Sequence, residues 1–153
     1  MITDEVKKNI DKSVLCWLAT TNEQNEPNVS PKEMFALYDD KTLLVANIAS
    51  PNTIQNIKAN SKVCVSFLDI FVQKGYKLKG IAKVIEKTNI GYDEKLKLLT
   101  NLFTDKFPIK SIIEIELETV DKIVAPSYYM YPETTEKSQI ESAMLTYKVK
   151  SIE

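Results

Sequence analysis

The segment best suited to hold a ligand is Ser-Pro-Asn-Thr at residues 50–53, at the start of a predicted helix. Ser50 can cap this helix, and Pro51 suits its first position because the ring has no N–H to leave unpaired. The first turn of a helix presents free backbone N–H groups and the positive end of the helix dipole, which together bind phosphate. Ser50 and Thr53 add hydroxyl groups, and Lys32 can supply a cation from a neighbouring strand. An ordinary capped helix is the alternative interpretation.

A second pair of basic residues, Lys77 and Lys79, stands two apart in a predicted strand and therefore on one face of it. Gly80 follows, and a glycine inside a strand is typical of a bulge or of close approach by another backbone or a ligand. These residues predict a second wall of a binding site. The alternative is that both lysines are simply solvated.

The chain contains no histidine. This excludes a Ser-His-Asp triad, a Cys-His pair and the usual histidine-containing zinc sites, and we predict no metal site. The two cysteines, Cys16 and Cys64, lie in apolar runs and are interpreted as core residues. Catalytic residues stay unassigned.

Aromatic residues also fall into two settings. Trp17 lies between Cys16 and Leu18 and is predicted to be in the core. Tyr128, Tyr129, Met130 and Tyr131 stand together in a polar tail. Such a cluster is typical of an interface or a ligand-stacking surface, and anchoring of the tail on the body of the protein is the alternative.

The composition indicates one domain over residues 1–153, with residues 126–153 as a tail or helix packed on it. The net charge is −1 and no basic stripe is present, which argues against nucleic acid as a partner. No run approaches the ~20 apolar residues of a membrane span, and the first residues are too polar for a signal peptide. We therefore expect a cytoplasmic protein.

Periodicity places the secondary structure. Val6 and Ile10 recur four apart after Thr3, an N-cap candidate, and indicate an amphipathic helix. In all, helices are predicted at residues 4–12, 51–60 and 92–103, with another in the C-terminal tail. Strands are predicted within residues 13–21, 28–38, 41–48, 61–70, 76–87 and 111–125. Pro31 requires the second strand to be bulged or at an edge near residues 30–32.

Five or six mostly antiparallel strands with short helices between them predict an α+β protein built on a small closed or partly closed barrel. The segments at 28–38 and 41–48 are expected to pair with each other across the tight polar connection at residues 39–41.

The order of the segments NVSPKEMFALY, KTLLVANIASPNTIQNIKANSKVCVSF and GYKLKGIAKV resembles that of the pyridoxamine 5'-phosphate oxidase-like flavoproteins. The resemblance spans about residues 7–87, and its most recognisable phrase is NIKANSKVCVSF. It implies a Greek-key-like split β-barrel that works as a homodimer, with FMN bound at the subunit interface.

Carried over by residue, the resemblance implies three groups of FMN-binding residues. Ser30, Pro31 and Lys32 would lie beside the ring or the ribityl chain. Ala46, Asn47 and Ile48 would follow the ring edge. Ser50, Asn52 and Thr53 would hold the phosphate, and Lys77 and Lys79 match a strand that a second subunit contributes.

Two departures from that family shape the functional prediction. Ser-Pro-Asn stands where true oxidases carry Ser-Arg-Lys, so Lys32 and Lys58 would have to supply the positive charge. The arginine and histidine that hold the substrate of true pyridoxamine phosphate oxidases are also missing. The sequence therefore predicts an FMN-dependent oxidoreductase or flavin reductase outside vitamin B6 synthesis. A non-catalytic carrier or sensor of flavin, deazaflavin or haem is the alternative, and a ligand-free dimeric barrel is a third.

Overall fold

The structure is a computed structural model that describes residues 2–152. Met1 and Glu153, the ends of the predicted 1–153 domain, lie outside the described residues. The helices are α1 (Asp4–Lys12), α2 (Pro51–Ala59), α3 (Tyr92–Leu102), α4 (Ser127–Met130) and α5 (Glu136–Tyr147). The strands are β1 (Cys16–Thr21), β2 (Pro27–Lys32), β3 (Phe35–Asp39), β4 (Thr42–Asn47), β5 (Lys62–Asp69), β6 (Lys74–Ile85) and β7 (Ser111–Val124).

Local signals explain where the first helix lies. The Thr3 hydroxyl accepts a hydrogen bond from the Val6 amide at 3.4 Å, which confirms the predicted cap. Acidic residues in the first turn and Lys12 in the last turn complement the helix dipole. Val6 and Ile10 are the buried residues of α1, as their spacing predicts. No helix among residues 2–152 is long and apolar enough to cross a membrane.

Seven strands form one antiparallel sheet in the order β2-β1-β5-β6-β7-β4-β3. The edge strands β2 and β3 follow each other in the chain, separated only by Glu33 and Met34. The sheet is rolled, because the ring of Phe35 on β3 lies 5.2 Å from that of Phe67 on β5. No ladder of hydrogen bonds joins β2 to β3 among the described residues, so the barrel stays split along that seam.

One predicted strand is wrong. The segment at residues 28–38 is two strands, because the chain leaves one edge of the sheet after Lys32 and joins the opposite edge at Phe35. Only β3 pairs with β4, whereas β2 pairs with β1. The split raises the strand number to seven, and it leaves Pro31 on an edge strand, as predicted.

The rolled sheet encloses the main core. Its members come from Ile2 before α1, from α1 and α2, and from every strand except β2, and they include Leu18, Phe35, Val65, Leu78 and Ile113. A second, smaller core lies between α3 and the outer side of β3, β4 and β7. Ile113 and Ile115 of β7 face the main core, and Ile112 on the opposite face joins the second core. Glu114 and Glu116 follow Ile112 on that opposite face, which gives the alternation of apolar and polar residues along β7.

Gly80 lies at a bulge, as the sequence predicts. The register between β6 and β7 shifts between Lys79 and Gly80. A Cβ atom on Gly80 would overlap the backbone carbonyl oxygen of Glu116, so the close approach of the two strands requires glycine there.

Candidate functional site

The site predicted at the start of α2 is held by the end of β4. The Ser50 amide donates to Oδ1 of Asn47 at 3.3 Å, and Nδ2 of Asn47 donates to the Ser111 hydroxyl at 2.9 Å. Pro51 begins the helix, as predicted. Ser50 occupies the N-cap position, as predicted, but its side chain makes no cap hydrogen bond and instead accepts one from the Lys32 ammonium.

Lys32 is a buried cation. It is 6% exposed, and its Nζ donates to the Ser50 hydroxyl. None of the ion pairs among residues 2–152 includes Lys32. Burial lowers the pKa of this ammonium below its ordinary value of 10.5. An ammonium in this position lacks an anionic partner, and a bound anion would supply one.

Two further hydroxyls face the same place. The hydroxyls of Ser30 and Thr53 lie 3.0 Å apart, and Thr53 is buried in the first turn of α2. Ser30 and Lys32 share one face of β2, so both point towards α2. Together with Ser50, these side chains surround the helix start with two kinds of anion ligand, hydroxyl and ammonium.

A buried amide and hydroxyl network lies beneath the helix. The Thr20 hydroxyl accepts from Nδ2 of Asn56 at 3.0 Å and from Nδ2 of Asn28 at 3.3 Å. Asn28 also reaches the Thr53 hydroxyl at 3.4 Å. The sequence analysis missed Thr20, Asn28 and Asn56. A signal was available in the polar residues at alternate positions of β2 and three apart on α2.

The other predicted site residues differ in their burial and in the direction that they face. Ala46 is buried in the second core, and Ile48 packs partly against it. Pro31 is exposed on the face of β2 that points away from α2. Asn52 is exposed in the first turn of α2.

Lys58 faces away from the helix start. It forms an exposed ion pair with Glu86 at 3.2 Å near the other end of α2. Glu86 therefore partly neutralises the charge of Lys58. Within one chain, the Ser50 hydroxyl is contacted by Lys32 and not by Lys58.

Lys77 and Lys79 lie on the outer face of the sheet. Their neighbours Tyr76 and Leu78 point into the main core, so the lysines point outward. Nζ of Lys77 lies 4.0 Å from Asp121 on β7. Within one chain the two lysines are not brought to the start of α2, and their role as residues given by a second subunit stays a prediction.

Of the aromatic residues singled out in the sequence, Tyr128 anchors the C-terminal tail, whereas the others are exposed. The prediction that Trp17 is in the core is wrong, because its side chain is 46% exposed on the outer face of β1. Cys16, beside it, is buried, as predicted, and burial raises the pKa of its thiol to about 12. Tyr128 anchors the tail by donating to the Val72 carbonyl at 2.8 Å. Tyr129, Met130 and Tyr131 are exposed.

The family of the chain follows from a match to the model of pyridoxamine 5'-phosphate oxidase over residues 2–123. The chain belongs to this family, and its open antiparallel sheet is the split β-barrel that the sequence predicted. No curated protein matches the chain in sequence.

Three solved structures illustrate the fold. HupZ from Group A Streptococcus is 27% identical, with a TM-score of 0.68, and the match covers 78% of this chain and 92% of that one. An FMN-binding protein from Syntrophomonas wolfei is 16% identical, with a TM-score of 0.69 and coverage of 81% and 87%. HutZ, the heme storage protein from Vibrio cholerae, is 15% identical, with a TM-score of 0.65 and coverage of 80% and 94%.

Proposed function

We propose that this protein binds FMN, with the phosphate at the start of α2. The observation that carries the proposal is the Lys32 ammonium, which is buried beside Ser50 without a carboxylate partner among residues 2–152. A phosphate group would neutralise this cation and accept bonds from Ser50, Thr53 and the backbone N–H groups of the first helical turn. Membership of the family and an FMN-binding structural relative support a flavin as the carrier of that phosphate.

The flavin ring would extend from the phosphate towards β2 and the end of β4. Ser30 and Lys32 face this space from β2, and Asn47 ties β4 to the helix start through its bond from the Ser50 amide. Lys32 would also stabilise negative charge on a reduced ring. Ile48, just after β4, would flank the ring as an apolar wall, whereas Pro31 lies on the opposite face of β2.

The reaction we propose is electron transfer by an FMN-dependent oxidoreductase or flavin reductase. Bound FMN supplies the redox chemistry, and the protein supplies position and charge. This role requires no histidine, which suits a chain that has none. The electron donor and acceptor are left open.

A second candidate is a non-catalytic carrier of FMN or a related cofactor. The observation in its favour is the fold shared with HutZ, whose description as a heme storage protein shows that this barrel serves roles other than catalysis. Storage of haem itself is less well supported, since the chain offers no histidine as an iron ligand.

We further propose a homodimer with the cofactor sites at the interface. Trp17, Val29 and Leu68 lie on neighbouring strands and are 46%, 55% and 43% exposed. They form an outer apolar face on β2, β1 and β5, next to Lys77 and Lys79 on β6. A second copy would cover this face and could bring its lysines to the flavin of the first copy.

The first experiment is the absorption spectrum of the purified protein, followed by titration with FMN. We expect flavin bands, or saturable binding of added FMN with one site per chain. Lys32→Met and Thr53→Ala should each weaken FMN binding. The matched control is Lys58→Met, which replaces a lysine near the other end of α2. Unchanged FMN affinity in both site variants would rule out the proposed phosphate site.

Steady-state reduction of the bound flavin separates the two candidate functions. Reduction by NADH or NADPH and reoxidation by an acceptor would support the oxidoreductase. Tight FMN binding without turnover by either donor would favour the carrier.

A further inference from the structure

A second pocket, of about 520 Å³, lies between the end of α1 and the outer face of the sheet. Its lining comes from the last turns of α1, the loop between α1 and β1, the outer faces of β1 and β5, and the turn after β5. None of its lining residues belongs to the proposed phosphate site. Pockets of ~300–1,000 Å³ are usual for small-molecule ligands.

The walls of this pocket are mainly apolar and include two aromatic rings. Trp17 and Leu68 come from the neighbouring strands β1 and β5, and Ile70 and Phe71 come from the turn that follows β5. Trp17, Leu68 and Ile70 are exposed in spite of their size. Large apolar side chains that stand together on the surface mark a binding site. A flat aromatic ligand would pack well against the rings.

One polar atom beside these walls lacks the hydrogen bond that its burial requires. Oδ1 of Asn9 is buried and has no hydrogen-bond partner, and no other buried side-chain nitrogen or oxygen among residues 2–152 is in this state. Asn9 lines the pocket, and the last torsion of an asparagine side chain is broad, so a small rotation would turn Oδ1 towards a ligand. An unpaired acceptor of this kind favours a ligand that donates one hydrogen bond.

The charges around the pocket favour a neutral ligand. Lys12 and Asp69 line it, and both are exposed. One carboxylate oxygen of Asp69 already accepts from the amides of Phe71 and Val72, at 2.9 and 3.1 Å. The backbone carbonyls at the end of α1 add partial negative charge, which opposes an anion and suits a donor.

We infer that this pocket binds a neutral aromatic molecule that carries one hydroxyl group, that is, a substituted phenol. The ring would pack against Trp17, and the hydroxyl would donate to Oδ1 of Asn9. This inference does not rest on the proposed flavin site. Trp17 and Leu68 also belong to the proposed dimer face, whereas the end of α1 and Ile70 lie beside that face.

The test uses fluorescence, because Trp17 is the only tryptophan in the chain and lines the pocket. The two probes are 4-ethylphenol and 4-ethylanisole, which is the same molecule with its hydroxyl hydrogen replaced by a methyl group. We expect 4-ethylphenol to change the Trp17 emission saturably, with one site per chain. It should bind about fivefold more tightly than 4-ethylanisole, the factor expected for one hydrogen bond.

Two variants of the pocket make the test specific. Asn9→Leu should remove the preference, so that both probes bind equally, because the acceptor is replaced by an apolar side chain of similar size. Ser66→Phe, which fills the space beside Trp17, should abolish binding of both probes. The matched control is Asn101→Leu, at an exposed amide on α3, and circular dichroism establishes that each variant is folded.

The contrary outcomes are distinct. Equal binding of the two probes by the wild type, or a preference that survives Asn9→Leu, overturns the inference. A Trp17 emission that shifts with protein concentration and does not respond to 4-ethylphenol assigns the pocket to contact with a second copy, which also overturns it. FMN affinity should be the same in Asn9→Leu and the wild type, so the proposed flavin site stands or falls separately.

Discussion

For Lys32, we expect a cost in stability and a gain in ligand binding. Its ammonium is removed from water without a carboxylate partner among the described residues, so charging it in the folded protein is unfavourable. A bound phosphate dianion would instead favour the charged form of Lys32. The residue thus resembles other buried charges at binding sites, which are expensive until the ligand is present.

We predict opposite effects of Lys32→Met on stability and on flavin binding. The free energy of unfolding of the cofactor-free protein should rise, because a buried charge is replaced by an apolar side chain of similar length. FMN affinity should fall by about 1.5–3 kcal/mol, the range for a charge-assisted hydrogen bond. Urea denaturation and FMN titration measure the two quantities, with Lys58→Met as the control. A less stable variant would show that the hydrogen bond from Lys32 to Ser50 and the packing of its side chain outweigh the cost of burying its charge.

The pH dependence of FMN binding follows from the same pKa. Because the pKa of Lys32 is below 10.5 in the free protein, FMN affinity should decrease as pH rises through that lowered value. The sign for stability is the reverse. Between the lowered pKa and 10.5 the unfolded chain binds more protons, so the Lys32 contribution to the free energy of unfolding increases with pH. Lys32→Met should remove this component of both profiles, as titrations from neutral pH upward would show.

At the scale of elements, α2 depends on the polar network below it. Thr20 is the shared acceptor for Asn28 and Asn56, and it is buried in β1. The helix is thereby fixed to the first hairpin by side chains, in addition to the packing of Ile57 in the main core. A shift of α2 would move Ser50 and Thr53 together.

We expect Thr20→Val to destabilise the protein by about 1–3 kcal/mol, because the buried Nδ2 of Asn56 loses its acceptor, whereas Nδ2 of Asn28 keeps the Thr53 hydroxyl. FMN affinity should fall as well if the helix start moves. Thermal unfolding and FMN titration test both effects. Thr119→Val, on an exposed part of β7, is the matched control and should change little. An unchanged melting temperature for Thr20→Val would mean that water replaces the hydroxyl without cost.

The bulge in β6 gives a second prediction at this scale. Gly80→Ala should destabilise the protein by roughly 1–3 kcal/mol, since the added methyl would overlap the Glu116 carbonyl. Lys79→Ala, one residue earlier and exposed, should have a small effect. Urea denaturation measures both variants. Equal stabilities would show that β6 and β7 separate there without penalty.

The elements also show what could be predicted from sequence. The bounds of α1 and the first residue of α2 were predictable because caps, proline and apolar spacing are local signals. The division between β2 and β3 was not, because the choice of partner strand depends on residues far away in the chain. The sequence predicted that Lys32 and Ser50 belong to one site. The hydrogen bond between Asn56 and Thr20 was not predictable, because it depends on how α2 packs on β1.

At the scale of the whole molecule, Trp17 is another residue whose place in the structure could not be predicted from the sequence. Both faces of β1 are largely apolar in sequence, so the pattern does not say which face the barrel encloses. In the structure Leu18 points into the core and Trp17 points outward. An exposed tryptophan beside Val29 and Leu68 agrees with the proposal that a second copy covers this face.

We predict that Trp17→Glu converts a dimer into a monomer. A charge at the centre of an apolar interface would be buried without a partner. Light scattering after size-exclusion chromatography measures the mass, and Ile90→Glu is the control because Ile90 is fully exposed in the loop before α3. Circular dichroism establishes that both variants are folded. A monomeric wild type at micromolar concentration would contradict the dimer.

The place of β7 in the sheet also sets the order in which a growing chain can fold. β7 lies between β6 and β4, and Asn47 of β4 pairs with Ser111. While the ribosome makes the intervening residues, the β3–β4 hairpin has no strand to join, and its apolar side chains stay without their final cover. Contacts this distant in sequence form slowly. Completion of the barrel therefore waits for synthesis of β7, and until then the nascent chain presents a segment that chaperones would recognise.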